Sequence, residues 1–261
     1  MNIIVCLKQV PDTTDVKIDP NTNTLIRQGV KAIINPLDSY ALEEGVRLKE
    51  RHSGKVTAIS MGPPQAVDML RDAIAVGADE AVLLSDIAFA GSDTLATAAA
   101  LAKAAEKIKT YDLIICGRQT LDGDTGQVGP ELAENLGIPF IAYVSKIEEI
   151  ANGKIRVQRM VEDGYETIEA LLPAVITVVK EITVPRMPSL RGVFKSKSAQ
   201  IPTWTANDIA AEKETIGQNG SGTWVVKVFY PQRVQTAEML KGDPEIQVKA
   251  LIEKLREVKL I

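Results

Sequence analysis

Short apolar runs alternate with helix-patterned segments through the first half of the chain, and this alternation limits the fold more than any other feature. "NIIVCLK", "KVTAIS", "EAVLLS" and "YDLIICG" are continuous apolar runs. Strands read this way when both faces of a parallel sheet are covered. Between them, "SYALEEGVRLKE", "PQAVDMLRDAIAVGA" and "DTLATAAALAKAAEKIK" place apolar residues on one helical face. Their punctuation agrees: Asp38 stands as a natural N-cap, Pro64 opens and Gly77 closes the second helix, and Asp93 lies near the start of the third. The pattern predicts an α/β fold, a Rossmann-like parallel sheet with helices on both faces. Ligands of such sheets bind beyond the carboxyl ends of the strands, where strand order reverses. Loops 8–12, 60–64, 85–94 and 117–129 leave those ends, and "INPLD" joins them.

The pattern changes after about residue 145. "GKIRVQRMVEDGYETIEALLPAVITVVKE" reads as a hairpin around "EDGY" followed by a β-branched strand. "VPRMPSLRGVFKSKSAQIPTW" has no periodicity and is expected to be a long exposed loop. After the glycine-rich "GQNGSG", the chain runs through "TWVVKVFYPQR" to a final helix, "PEIQVKALIEKLREVKLI". Residues 1–220 are therefore expected to form the α/β nucleotide-binding domain, including the exposed segment 184–203. Residues 221–261 are expected to form an arm.

Composition excludes several classes. The 30 Lys and Arg nearly balance the 34 Asp and Glu, which argues against a nucleic-acid binder. The two cysteines, Cys6 and Cys116, lie in apolar runs and read as small buried hydrophobes of a reducing compartment. No Cys/His cluster suits a metal. The one histidine, His52, ends a charged helix and reads as exposed, which disfavours histidine-based nucleophile chemistry. No targeting segment or apolar run of about 18 residues is present. The expectation is a cytoplasmic protein with no membrane span.

Neither GxGxxG nor GxxxxGK[ST] follows a strand. The strongest local signal is "TLDGDTGQVGP", residues 120–130, between the fourth strand and the helix "QVGPELAENLG". Amides from Thr125 to Gly129 can point at an anion, aided by the helix dipole. The acids Asp122 and Asp124 run against a phosphate, and Asp124 or Thr125 serves equally well as a plain helix cap in an ordinary turn. Both readings stand on the loop alone. Lys8 and "SMGPPQ" are weak by themselves, but every one of these segments falls on the same predicted edge.

Together, "NPLDSYALEEGVRLKE", "SMGPPQAVDMLRDAIAVGAD", "GRQTLDGDTGQVGP" and "VQRMVEDGYETIEALLPAVIT" resemble the beta subunit of electron transfer flavoprotein, in order, from Met1 to about Thr203. The resemblance implies a heterodimer with an FAD-bearing alpha subunit. It also implies a beta-subunit pocket for AMP or a second FAD. It assigns that pocket to Cys6, to Asn35, Pro36, Leu37 and Asp38, to Met61, and to Gln119 with Asp122, Gly123, Asp124, Thr125, Gly126, Gln127, Val128 and Gly129.

The form "DGDTGQVG" resembles the electron-bifurcating branch, in which the pocket holds FAD. Members with AMP carry an acid in place of Gly123 and a bulkier residue in place of Gly126. Thr94 and Thr97 would reach the larger ligand. The implied activity is that of a flavin-dependent oxidoreductase subunit, inactive alone. Its pocket FAD takes a hydride from NADH. One electron goes to ferredoxin and one, through the alpha-subunit FAD, to an acyl-CoA-dehydrogenase-type flavoenzyme. The resemblance further implies that Leu190 anchors the exposed segment to that partner and that the C-terminal arm contacts the alpha subunit.

Overall fold

The computed structural model describes residues 1–12, 32–226 and 238–261. They fall into two compact units, 1–226 and 227–261. Strand β1 (Asn2–Cys6) leads to a short antiparallel ribbon, β2 (Gln9–Pro11) with β3 (Ala32–Ile34). Helix α1 (Pro36–His52), β4 (Lys55–Met61), α2 (Ala66–Val76), β5 (Glu80–Leu84), α3 (Thr94–Ile108), β6 (Leu113–Gly117) and α4 (Val128–Leu136) then alternate as expected. Next come β7 (Phe140–Ala151), β8 (Lys154–Val161), β9 (Gly164–Leu171), β10 (Ala174–Val178), α5 (Leu190–Ser198), β11 (Thr203–Trp204) and the short α6 (Gly217–Gly220).

The main sheet has the order β11-β5-β4-β1-β6-β10-β7-β8-β9. Pairing is parallel from β11 to β7 and antiparallel from β7 to β9. Strands β4 and β6 flank β1 on opposite sides, so strand order reverses there and the loops after β1 and β6 border a crevice. Alternate residues of β1 serve two cores. Ile3 and Val5 pack with α1 and α2 through Leu42, Val46, Met69 and Leu70. Ile4 and Cys6 pack with α3 and α4 through Ala98, Leu101 and Leu132. Burial on both faces explains the unbroken apolar runs.

Four expectations need correction or refinement. Asp38 does not cap α1. The cap position is Asn35, Pro36 follows as the first helical residue, and Asp38 lies inside the first turn. Pro64 stands two residues before α2, whose cap is Gln65. The segment 184–203 is not an irregular loop throughout. It contains α5, started by Ser189, whose side chain accepts from the Gly192 amide at 3.0 Å, and it ends on β11, which pairs with β5. Finally, the expected hairpin β8–β9 is joined by an unforeseen strand, β7, which carries the sheet from parallel into antiparallel pairing.

Helix α5 docks closely on α2. A Cβ added to Gly192 would lie 2.0 Å from the Ala75 carbonyl oxygen, so only glycine permits this approach. The Arg71 guanidinium donates to the Ser196 carbonyl at 2.8 Å, and the Lys195 ammonium to that of Ala78 at 3.1 Å. In the second unit, α7 (Pro244–Glu257) exposes Ile246, Val248 and Leu251. Among the described residues no helix is long and apolar enough to cross a membrane, and no group of three or more His, Cys, Asp or Glu suits a metal ion.

Candidate functional site: a crevice at the strand ends

Two strand ends and two helix starts converge at the reversal point. Cys6 ends β1 and Cys116 is its register partner in β6, both buried and free. The contact between the two thiols and their burial push the Cys6 thiol well up. The crevice floor is thus neutral sulfur rather than thiolate.

Asn35 and Asp38 bind the surrounding loops together. The Asn35 side-chain amide donates to Asp38 Oδ1 at 3.0 Å and to the Gln119 carbonyl at 2.9 Å, and its oxygen accepts from the Leu121 amide at 3.1 Å. Asp38 Oδ2 accepts from the Lys8 amide at 2.8 Å. Burial pushes the Asp38 carboxyl up to about 7, against the opposing pull of the Asn35 and Lys8 hydrogen bonds. A Cβ on Gly117 would stand 2.3 Å from Asp38 Oδ1. The corner is therefore packed to the limit.

The two acids of the loop are engaged in the same way. The Lys8 ammonium donates to Asp122 Oδ1 at 2.8 Å. Burial opposes ionisation of Asp122, but Lys8 and the Thr120 hydroxyl outweigh it and hold its carboxyl below the usual range. Asp124, at φ +53°, accepts from the Gln119 side-chain amide. Neither acid is a helix cap, because α4 begins only at Val128. They are ties that shape the loop, and their charge is met by protein donors rather than left to face a ligand.

This leaves α4 without a side-chain cap. Its first-turn amides are orphan donors at the positive end of the helix dipole, the arrangement that accepts an anion. Gly126, at φ +65°, makes the turn into it. A Cβ on Gly123 would meet only Thr120 Oγ1 at 3.4 Å and Lys8 Nζ at 4.0 Å, so the loop surface is open there. Gly129 instead packs inward, where a Cβ would lie 2.5 Å from Thr177 Cγ2.

Helix α3 starts beside α4. Asp93 caps it, accepting from the Ala96 amide at 3.1 Å. Thr94 Oγ1 lies 3.1 Å from Glu131 Oε1 and 3.4 Å from Gln127 Oε1. Glu131 Oε2 is buried and has no hydrogen-bond partner. Buried polar atoms seldom go unpaired. An orphan oxygen facing an uncapped helix start fits a polar ligand larger than a single phosphate.

The structure thus brings Cys6, Asn35, Pro36, Leu37, Asp38, Met61, Thr94, Thr97, Gln119 and the segment from Asp122 to Gly129 to one edge of the sheet. They stand at the ends of β1, β4 and β6 and at the starts of α1, α3 and α4. Sequence reasoning passed over Glu131 and gave Lys8 little weight. Glu131 falls four residues after Gln127, one helical turn, and that spacing is the signal that would have found it. A groove of about 540 Å³, lined by Ile34, Pro36, Tyr40, Asp72, Pro185 and Pro188 among others, shares only Pro36 with the crevice residues.

Leu190 belongs to a different place. It is 83% exposed at the first position of α5, with Val184, Met187 and Phe194 also exposed. Beneath this segment Arg186 forks onto α1. It donates to Glu43 Oε2 at 2.8 Å and to Glu50 Oε1 at 2.7 Å. These bonds to Glu50 and Glu43 raise the guanidinium pKa further.

Fold and crevice together define the class, an α/β protein with an anion-accepting crevice where strand order reverses. Residues 22–209 match the family model described as "Electron transfer flavoprotein domain". The chain is 52% identical over 256 residues, 98% of each sequence, to the electron transfer flavoprotein subunit beta of Thermoanaerobacterium thermosaccharolyticum. It is 46% identical over 263 residues, the full length of both, to the caffeyl-CoA reductase-Etf complex subunit CarD of Acetobacterium woodii. It is 43% identical over 263 residues, 98% of this chain and 94% of the relative, to Protein FixA of Azorhizobium caulinodans. The chain belongs to the electron transfer flavoprotein family, in its beta-subunit branch.

Proposed function

We propose that this chain works in the cytoplasm as the beta subunit of a heterodimeric electron transfer flavoprotein of the bifurcating kind, and that its crevice holds FAD. The carrying observation is the acceptor-rich corner of Thr94, Gln127 and the orphaned Glu131 oxygen beside the uncapped start of α4. A mononucleotide phosphate would occupy the helix start and leave that corner bare. The openness at Gly123 and Gly126 supports the same reading. So does the similarity to a subunit of a caffeyl-CoA reductase-Etf complex.

In this reading the residues divide the work. Asn35, Asp38 and Lys8 hold the loop in shape, and the amides at the start of α4 bind phosphate. The Cys6 and Cys116 thiols present an uncharged floor. Thr94 and Thr97 contact the part of the ligand beyond the phosphates. The bound flavin supplies the redox chemistry: it takes a hydride from NADH and sends single electrons along two routes, to ferredoxin and, through the alpha-subunit FAD, to an acyl-CoA-dehydrogenase-type flavoenzyme. Positioning a cofactor this way needs no side-chain nucleophile. Leu190 anchors that partner, since an exposed apolar side chain on a firmly held helix contributes about 1.5–3 kcal/mol when buried. Residues 221–261 form the arm that contacts the alpha subunit.

A second reading is favoured by one feature: the start of α4 needs only a single phosphate, which AMP also supplies. The chain would then be a scaffold and docking subunit. The visible spectrum and nucleotide content of the purified heterodimer separate the two. Two flavins per dimer are expected; one flavin with released AMP would overturn the flavin reading.

A further inference from the structure

We propose that Glu131 is the residue by which this crevice tells a flavin nucleotide from an adenosine phosphate, accepting hydrogen bonds from the ribityl hydroxyls that follow the phosphates. The inference rests on the flavin reading of the crevice and names what that reading leaves unassigned.

The argument is a count of donors and acceptors. Three side-chain oxygens meet between the starts of α3 and α4: Glu131 Oε1, Glu131 Oε2 and Gln127 Oε1. One hydroxyl serves them, that of Thr94, at 3.1 Å from Glu131 Oε1 and 3.4 Å from Gln127 Oε1. A hydroxyl carries a single proton, so at most one of these contacts is a full hydrogen bond at any moment. Glu131 Oε2 is buried with no partner at all. An unmet buried acceptor costs about 1–3 kcal/mol, and folded proteins rarely leave one without a use.

The chemistry of the missing partner follows. It must bring hydrogen-bond donors, because the corner already has a surplus of acceptors. Phosphate oxygens are acceptors and are excluded from it; they belong at the amides of α4. A polyol brings several hydroxyl donors and is uncharged. Glu131 lies one helical turn beyond Gln127, its amide donating to the Gln127 carbonyl at 3.1 Å. The corner is therefore about 5 Å along the helix from the anion position, where the chain that continues from a bound phosphate would pass.

Charge agrees with a neutral partner. Burial raises the Glu131 carboxyl, the Thr94 hydrogen bond opposes this, and the nearby Asp93 adds to the rise. FAD has a ribityl chain to offer and AMP has none. The adenosine ribose of either ligand also carries hydroxyls, so the experiment must separate the two sugars.

ADP and FAD share everything up to the second phosphate and differ by the ribityl flavin. Heterodimers stripped of beta-site nucleotide are titrated with each, the alpha-subunit flavin serving as an internal reference. In Glu131→Leu the affinity for FAD should fall about tenfold, the value of one to two lost hydrogen bonds, while that for ADP stays within about twofold. Glu131→Gln keeps the shape and one acceptor; its FAD affinity should fall about threefold with ADP unchanged, and this variant carries the test where the leucine does not fold. An unchanged FAD affinity in both variants overturns the assignment. A parallel loss of ADP also overturns it, by placing Glu131 on the adenosine ribose or in the framework. Wild-type protein that takes ADP or AMP but no FAD overturns the flavin reading itself, and this assignment with it.

Discussion

Asp38 shows how a single buried acid is used as a tie rather than a ligand. Its two oxygens are taken by the Lys8 amide and the Asn35 side chain, inside a corner that Gly117 leaves barely open. A folded-state value of about 7, raised mainly by burial above the ordinary 3.8, means the protein favours the neutral acid more than the unfolded chain does. That stability is present below about pH 4 and is lost as pH rises to about 7. Wild type should therefore lose stability relative to Asp38→Asn between pH 4 and 7, by on the order of 4 kcal/mol, and run parallel above about pH 8. Denaturant unfolding across that range measures it, and a flat difference would contradict the raised carboxyl. Gly126 gives the second prediction at this scale. Its φ of +65° costs about 1–2 kcal/mol for a residue with a side chain. Gly126→Val should release the beta-site flavin while the alpha-site flavin stays bound, as read from absorbance after gel filtration. Much of this was legible in the residues: "INPLD" and "DGDTGQVG" marked the correct edge. The roles of the acids were not legible, because Lys8 and Asp122 are paired only by the fold, 114 positions apart.

At the scale of elements, α5 is held by close contacts rather than by a deep core. Arg186 ties its approach to α1, and Gly192 lets it touch α2. Replacing Arg186 by Met leaves Glu43, nearly buried, without its partner, and should cost about 1–3 kcal/mol in denaturant unfolding. Gly192→Ala should cost a similar amount through its clash with Ala75. Leu190→Ala, by contrast, should leave stability within about 0.5 kcal/mol because the side chain is exposed. It should slow electron delivery to the partner flavoenzyme and spare NADH oxidation by an artificial acceptor. Equal loss in both assays would make Leu190 structural. Sequence patterning missed α5 because it is nine residues long and buries only Ser196 among them. It missed β7 for another reason. Half of that strand lies in the parallel sheet and half in the ribbon, with irregular register near Val144 and Ile147 and Tyr143 at φ +59°. No single period spans such a strand.

At the scale of the whole molecule, alternation of short strands and helices was enough to place both cores, the strand-order reversal and the crevice between β1 and β6. The sheet's antiparallel extension was half legible, as the β8–β9 hairpin. Helix α1 joins the two regions that matter. Its first turn holds the Asn35–Asp38 corner of the crevice, and its Glu43 and Glu50 seat Arg186 beneath the exposed apolar segment. From Asp38 to Glu50 is about 18 Å of helix. Thermal motion cannot lengthen or shorten one end of such a strut without carrying the other. Electron tunnelling falls steeply with distance, so the strut makes the separation of pocket and docking ridge a constant of this chain. Any change of range during turnover must then be supplied by movement in another polypeptide.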